Sequence, residues 1–227
     1  MRILVCIMVL FWNVLAEVPL AEDREYLIKL HAELREEVNP PASNMLMMSY
    51  SNELENLADD WAKNCTFKFP DITLRPKYKS LGQGSRLGNI NQSLSFKDLS
   101  ELKQEKQRFD YEANSCKKEC YFYKQAIWSN SSEFGCAKQR CYLQRSKDYY
   151  YRVVCLYRPG KEFPATLPYE SGVSCSKCPE GYVCERKQCT KQSTTTSIPA
   201  AKTTEASRSL TAGGILNFAT LILLFEA

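Results

Sequence analysis

Residues 52–65 read NELENLADDWAKNC, a segment with a helical apolar stripe that ends at a cysteine. The stripe lies at i, i+3, i+4, i+7 and i+8, the spacing of one helix face: Leu54, Leu57, Ala58, Trp61 and Ala62. Ser51 precedes the segment and is a residue type preferred at an N-cap. The pattern predicts a helix over residues 52–65 that packs this face against a core.

The first 16 residues have the layout of a secretory signal peptide. Arg2 precedes an apolar run, and Val14 and Ala16 stand at the −3 and −1 positions of a cleavage site. A second candidate site follows Ala21. We therefore predict a secreted chain from which residues 1–16 are removed.

Cysteine content points to the same compartment. Removal of the leader takes away Cys6, one of the 11 cysteines, and leaves ten between Cys65 and Cys189. An even count in a secreted chain predicts five disulfides. Free thiols, or a zinc knuckle within residues 175–189, are the less favoured alternatives.

Composition excludes one class of partner. The formal net charge is +4, and basic residues are interspersed with acidic ones. Nucleic-acid binding needs a dense Lys/Arg footprint, so we expect no nucleic-acid partner.

A second helix is predicted over residues 22–38. Its apolar face holds Leu27, Leu30, His31, Leu34 and Val38, and its other faces hold Arg24, Lys29, Arg35 and Glu36. The remaining predicted elements are an irregular connection over residues 67–92, a third helix over 95–109, and strands over 121–128, 132–139 and 149–157.

The C-terminal part divides by composition. Residues 164–189 are cysteine-dense and too small to fold without their bridges, residues 190–213 form a Ser/Thr-rich stalk, and residues 214–227 are an apolar tail. The tail is shorter than a membrane span. Its layout favours a GPI-attachment signal with the lipid anchor near Ser207, which would tether the protein to a membrane. The alternative is a soluble secreted protein with an apolar tail.

Several motifs carry a family resemblance. They are Leu30-His31-x-x-Leu34-Arg35, Asn39-Pro40-Pro41-Ala42-Ser43-Asn44, Leu57-Ala58-x-x-Trp61-Ala62-x-x-Cys65, Gln125-Ala126-Ile127-Trp128, Gly135-Cys136-Ala137 and Val153-Val154-Cys155-x-Tyr157. The chain resembles the CAP superfamily of cysteine-rich secretory, antigen 5 and pathogenesis-related type 1 proteins. The motif Cys116-x-x-x-Cys120 is most similar to the glioma pathogenesis-related branch.

The resemblance implies an α+β fold: a three-layer α-β-α sandwich over residues 22–163, followed by a disulfide-rich hinge over residues 164–189. It also implies the pairing, which the spacing of the cysteines leaves open. The implied disulfides are Cys65–Cys141, Cys116–Cys120, Cys136–Cys155, Cys175–Cys184 and Cys178–Cys189.

Members of the superfamily carry two His and two Glu in a cleft that binds a divalent metal in several of them. The matching positions here are Phe69, Gln83, Glu105 and Phe122. A phenyl ring has no lone pair for a metal, and an amide lacks the carboxylate charge. We therefore expect a degenerate cleft with no metal, no cofactor and no catalysis.

His31, the only histidine, lies on an apolar helix face, so we interpret it as a packed, hydrogen-bonded core residue. It offers no partner for a catalytic serine. Glu105 with Glu101 or Asp110 is interpreted as a solvated helix face rather than a carboxylate pair. A hydrolase is the least favoured class.

Phe69 and Phe122 are expected to face the old cleft and make it apolar. Such a groove suits a lipid, a sterol or a partner side chain, although core packing is the favoured interpretation of these rings. We therefore predict a secreted or cell-surface recognition protein with an extracellular protein partner, and a lipid or sterol carrier as the alternative.

Three N-x-S/T sequons occur in the chain. Asn91 and Asn130 lie in predicted loops and are candidates for glycosylation. Asn64 precedes Cys65 at a helix end, so we expect it to stay unmodified.

Overall fold

The computed structural model describes residues 17–66, 68–160 and 166–192. The predicted signal peptide, the stalk beyond residue 192, the apolar tail and Ser207 lie outside the described residues. Thr190 and Lys191, predicted to begin the stalk, instead end a strand (Gln188–Lys191). The helices are α1 (Ala21–Glu36), α2 (Asn52–Ala62), α3 (Leu102–Lys106) and α4 (Tyr121–Ala126). The strands are β1 (Ser49–Tyr50), β2 (Gly82–Leu87), β3 (Phe109–Asp110), β4 (Ser115–Cys116), β5 (Glu133–Leu143), β6 (Asp148–Arg158), β7 (Tyr182–Glu185) and β8 (Gln188–Lys191).

A four-stranded sheet in the order β1-β5-β6-β2 forms the middle layer. The long β5–β6 hairpin confirms the strands predicted over residues 132–139 and 149–157. β2 pairs with β6 in antiparallel fashion, and β1 pairs with β5 in parallel. Among the described residues, no helix is long and apolar enough to cross a membrane.

Each face of this sheet carries its own apolar core. One face packs against α2, through residues that include Leu54, Ala58 and Trp61. The other face packs against α1, α3 and α4, through residues that include Leu30, Leu102 and Phe122. Two helical layers around one sheet confirm the three-layer α-β-α sandwich.

The first helix is confirmed, with one correction to its polar face. Arg35, expected on an outer face, is buried and donates hydrogen bonds to backbone carbonyl oxygens of Leu46, Ala126, Trp128, Ser129 and Ser131. The guanidinium thereby ties the end of α1 to the segment that follows α4. A charge can be buried here because carbonyl acceptors replace its hydration shell.

The strand predicted over residues 121–128 is wrong, because these residues form α4. Lys124 N–H donates to the Cys120 carbonyl and Ile127 N–H to the Tyr123 carbonyl, both with helical spacing. Phe122 and Ala126 are buried together, four residues apart. A short aromatic run fits a helix and a strand equally well, so its composition was misleading.

The connection predicted to be irregular over residues 67–92 contains β2. This strand was not predicted because it contains Gly82 and Gly84, and glycine is depleted in strands. Their function is close approach: a Cβ at Gly82 would stand 2.1 Å from Gln125 Oε1 of α4. The third predicted helix, over residues 95–109, is a 3-10 helix (Phe96–Glu101) that continues into the shorter α3.

All five expected disulfides are formed: Cys65–Cys141, Cys116–Cys120, Cys136–Cys155, Cys175–Cys184 and Cys178–Cys189. In the hinge, the two bridges join Cys175 and Cys178 to the β7–β8 hairpin. Cys189 attaches it to the sandwich, since its N–H donates to the Met45 carbonyl and its own carbonyl accepts from Met47.

Candidate functional site

The family resemblance aligns Phe122 with the second ligand histidine of the superfamily. Its side chain is buried with 5% exposure, and its ring lies directly on the backbone of β2. A methyl group at Gly84 would stand 2.0 Å from Phe122 Cδ2 and 2.2 Å from Cε2. Ordinary carbon contacts are about 3.5–4.0 Å, so only glycine leaves room for this ring.

Of the four positions that the resemblance aligns with the metal ligands, Glu105 is the one that keeps a carboxylate. The side chain is buried, and its Oε2 accepts a hydrogen bond from the Tyr123 N–H at 3.1 Å. Burial raises the pKa of Glu105, while the Tyr123 N–H and the charges of Arg86 and Arg108 oppose that shift. The carboxylate therefore serves the first turn of α4, where backbone N–H groups lack helical partners.

Gln83 lies on β2 between the two glycines that contact α4. Side chains alternate along a strand, so the Gln83 side chain leaves β2 on the face opposite to Phe122. Its partner in the sheet register is Leu156, which belongs to the core under α2. Gln83 Oε1 is buried and has no hydrogen-bond partner among the described residues.

Phe69 lies in the connection after α2 and is 38% exposed. The expectation that both rings line one apolar groove fails for Phe122, whose ring is buried in the core, and stays a prediction for Phe69. Core packing, the favoured interpretation, holds for Phe122. Glu105 and Phe122 are brought together at the start of α4, whereas Gln83 faces the other layer.

His31 is confirmed as a core residue. Its Nδ1 lies 2.8 Å from the Leu27 carbonyl and its Nε2 lies 2.9 Å from the Tyr157 hydroxyl. The ring stacks on Phe134 with centroids 3.9 Å apart. Burial, with the charge of Arg35, lowers the pKa of His31 to about 4. A neutral imidazole with both nitrogens engaged is unsuited to general base catalysis.

The interpretation as a solvated helix face is wrong for Glu105, which is buried, and neither carboxylate considered as its partner forms a pair with it. Glu101 makes an ion pair with Arg86, and Asp110 accepts a hydrogen bond from the Ala113 N–H at 3.0 Å. In the hinge, the sulfur atoms of Cys175, Cys178 and Cys189 lie within 4.8 Å of one another, but all three are in disulfides. An oxidised sulfur is not a thiolate ligand, so the zinc-knuckle alternative is contradicted.

The three sequons lie in different environments. Asn130 is exposed. Asn91 has a positive φ of 58°, its Nδ2 donates to Asp148 Oδ1 at 3.0 Å, and its Oδ1 accepts from the Tyr149 N–H. Asn64 Nδ2 donates to the carbonyls of Asp60 and Trp61 at the end of α2. Glycosylation of Asn91 and Asn130 remains a prediction.

The tip of the β5–β6 hairpin carries an aromatic cluster that the sequence reasoning missed. Tyr142 and Tyr149 are exposed, with ring centroids 4.9 Å apart. The Arg140 guanidinium lies 3.8 Å from the centre of the Tyr149 ring. A sequence pattern could have indicated the cluster. At the end of β5, Arg140 and Tyr142 alternate with Gln139 and Cys141, which are buried, as on a strand with one outward face.

A second feature is a cavity of about 490 Å³ beside the hinge. Tyr111 and Tyr169 stack in its wall with centroids 4.8 Å apart, and the Tyr111 hydroxyl donates to the Tyr169 carbonyl. Trp128, Asn130 and Leu167 also line it. These residues are far apart in sequence, so no local pattern could indicate the cavity.

Comparison with known proteins defines the class. Residues 28–157 match the model of the cysteine-rich secretory protein family, CAP. The match covers more than half of the chain, and the chain therefore belongs to this family.

Individual relatives agree. Glioma pathogenesis-related protein 1 from Mus musculus is 33% identical over 165 residues, covering 71% of this chain and 62% of that protein. The chain thus matches less than two thirds of the length of this mouse relative. GLIPR1-like protein 1 from Homo sapiens is 31% identical over 184 residues, covering 77% of this chain and 75% of that protein.

Solved structures show the same fold. Venom allergen-like protein 4 from Schistosoma mansoni is 26% identical, with a TM-score of 0.52 over 70% of this chain and 100% of that one. The structure of NaASP2 with Zn²⁺ is 23% identical, with a TM-score of 0.58 over 75% of this chain and 96% of that one. The second likeness concerns the fold alone.

Proposed function

We propose that this chain is a non-catalytic extracellular CAP-domain protein that recognises another protein and binds no metal at the family's cleft. The observation that carries the proposal is the Phe122 ring, packed on Gly84 at the position of a ligand histidine. Zinc needs nitrogen, sulfur or oxygen donors, and a phenyl ring supplies none.

The rest of the cleft supports the same conclusion. Phe69 has no donor atom, Gln83 faces the α2 layer, and one oxygen of Glu105 is engaged by a backbone N–H. The chain has one histidine, and both of its nitrogens are in hydrogen bonds inside the core. With both cleft histidines replaced, the cleft has no imidazole to act as a general base near neutral pH.

The aromatic cluster of Arg140, Tyr142 and Tyr149 is the surface that we propose for recognition. Tyrosine and arginine are enriched at binding hot spots because they offer large contact areas with polar tips. The stacking of Arg140 on Tyr149 preorganises both side chains, which lowers the entropy lost on binding. Disulfide Cys65–Cys141 fixes β5 immediately beside the cluster.

Binding of the labelled protein to a panel of intact cells, measured with and without EDTA, tests this function. We expect saturable binding that the chelator leaves unchanged and that Tyr149→Ala weakens about tenfold or more. Leu74→Ala is the control, because Leu74 is 80% exposed and has no part in the aromatic cluster. Loss of binding in EDTA, or full binding by Tyr149→Ala, would contradict the proposal.

A second candidate is a carrier of an apolar ligand such as a lipid or sterol. The cavity beside the hinge favours it, since about 490 Å³ with stacked aromatic walls is large enough for a small ligand. Native mass spectrometry after gentle purification tests it. A co-purified lipid that is lost in Tyr169→Ala supports the carrier function, whereas a mass equal to the protein alone contradicts it.

We also propose that the apolar tail directs a GPI anchor near Ser207, so that the protein is held at the cell surface. The support is the order of small residues, spacer and apolar segment in the sequence. Treatment of expressing cells with a phosphatidylinositol-specific lipase should release the protein. A surface-bound form that resists the lipase would contradict the anchor.

A further inference from the structure

Arg152 is a buried cation with unpaired donors. Its side chain has no exposed surface, although it lies on β6, a central strand of the sheet. Nε donates to Ser85 Oγ at 3.0 Å, but Nη1 and Nη2 are buried and have no hydrogen-bond partner. Buried polar groups in native proteins are nearly always satisfied, so these N–H groups indicate a ligand atom.

The charge of Arg152 is also uncompensated. Within residues 17–66, 68–160 and 166–192, no carboxylate forms an ion pair with it. Burial lowers the pKa of Arg152, and the ionisable group that opposes this shift is the Tyr150 phenol. A guanidinium remains protonated inside proteins, so the site holds a positive charge without a partner.

The neighbours of Arg152 are polar but neutral. Gln139 is its partner in the β5–β6 register, and Gln139 Oε1 is buried without a hydrogen bond. Ser85 accepts from Arg152 Nε and uses its own proton on the Val153 carbonyl. A rotation that joined Gln139 Oε1 to the guanidinium would satisfy at most two of the four N–H groups and would leave the charge unchanged. A water molecule would also leave the charge unchanged.

We infer that a small monovalent anion such as chloride binds at Arg152, where Nη1 and Nη2 donate to it in the layer between the sheet and the segment after α2. Because the Arg152 side chain has no exposed surface, we expect a ligand no larger than a halide or a formate.

Thermal unfolding in sodium chloride and in sodium gluconate at equal ionic strength tests the inference, because gluconate is too large for the site. We expect the wild-type Tm to be higher in chloride by ~3 °C. Arg152→Gln should unfold at the same Tm in both salts. Arg145→Gln is the matched control, since Arg145 is exposed on the same hairpin, and it should keep the wild-type difference.

Bromide soaking of wild-type crystals keeps the test valid if Arg152→Gln fails to fold. We expect an anomalous peak within hydrogen-bond reach of Nη1 or Nη2. A wild-type Tm that does not depend on the anion, or a soaked crystal with a water molecule and no anomalous peak beside Arg152, would overturn the inference.

Discussion

The contact between Phe122 and Gly84 makes a quantitative prediction. A Cβ at Gly84 would stand 2.0 Å from the ring, about 1.5 Å inside ordinary contact distance. The ring cannot retreat easily, because it belongs to the core formed with α1 and α3. Gly84→Ala alone should therefore destabilise the protein by about 3 kcal/mol, the upper range for overpacking.

A substitution of Phe122 shows whether the cost of Gly84→Ala comes from the steric conflict with the ring or from the loss of glycine itself. Phe122→Ala should cost about 3–5 kcal/mol, as for other buried phenylalanines. In that background Gly84→Ala should be nearly neutral, because the ring is gone and Gly84 does not have a positive φ. The two substitutions should thus show a coupling energy of about 3 kcal/mol in a double-mutant cycle.

Guanidinium unfolding with the disulfides intact, followed by tryptophan fluorescence and circular dichroism, measures the four free energies. Coincident transitions by the two probes justify a two-state treatment. Additive effects, or a cost below about 1 kcal/mol for Gly84→Ala alone, would show that the ring does not lie on β2.

Two further predictions concern stability. The pKa of His31 is about 4 in the folded protein, below the ordinary value of 6.5, so the unfolded chain takes up its proton first. The stabilisation is present above pH 6.5 and should be lost between pH 6.5 and pH 4, by up to about 3 kcal/mol. Unfolding free energies of wild type and His31→Gln across this range check it, and parallel pH profiles would contradict it. The disulfides should contribute unequally to the free energy of unfolding. Cys65 and Cys141 are 76 residues apart, and Cys116 and Cys120 are only four apart. Replacing the first pair by serine should cost about 4–5 kcal/mol and the second about 2 kcal/mol, because the longer loop loses more entropy when closed. Equal losses in denaturant unfolding would contradict this ranking.

The sequence predicted the elements whose hydrophobic pattern extends over many residues. The apolar stripes of α1 and α2 extend over three or more turns, and β6 has a long β-branched and aromatic run, so each was assigned correctly. The disulfide pairing came from the family resemblance. Neither α4 nor β2 could be predicted. The six residues of α4 are too few to show a helical period, and the glycines of β2 are explained by their close contacts with α4.

The candidate site was predicted at the level of residue identity but not of geometry. The loss of donor atoms at Phe69 and Phe122 follows from the sequence alone. That Gln83 and Phe122 lie on opposite faces of β2 depends on the register of β2 on β6, which no local pattern reveals. The burial of Arg152 was missed for the same reason. An arginine in a strand is expected to be exposed to solvent, unless both faces of the sheet are known to be covered.

Titration of zinc into the folded wild-type protein at neutral pH, followed by isothermal calorimetry, tests most directly whether the family's metal centre is lost. We predict no saturable binding of one equivalent, and no change in the heats with Glu105→Gln. Stoichiometric zinc binding that Glu105→Gln abolishes would contradict that prediction and restore a metal site beside Phe122.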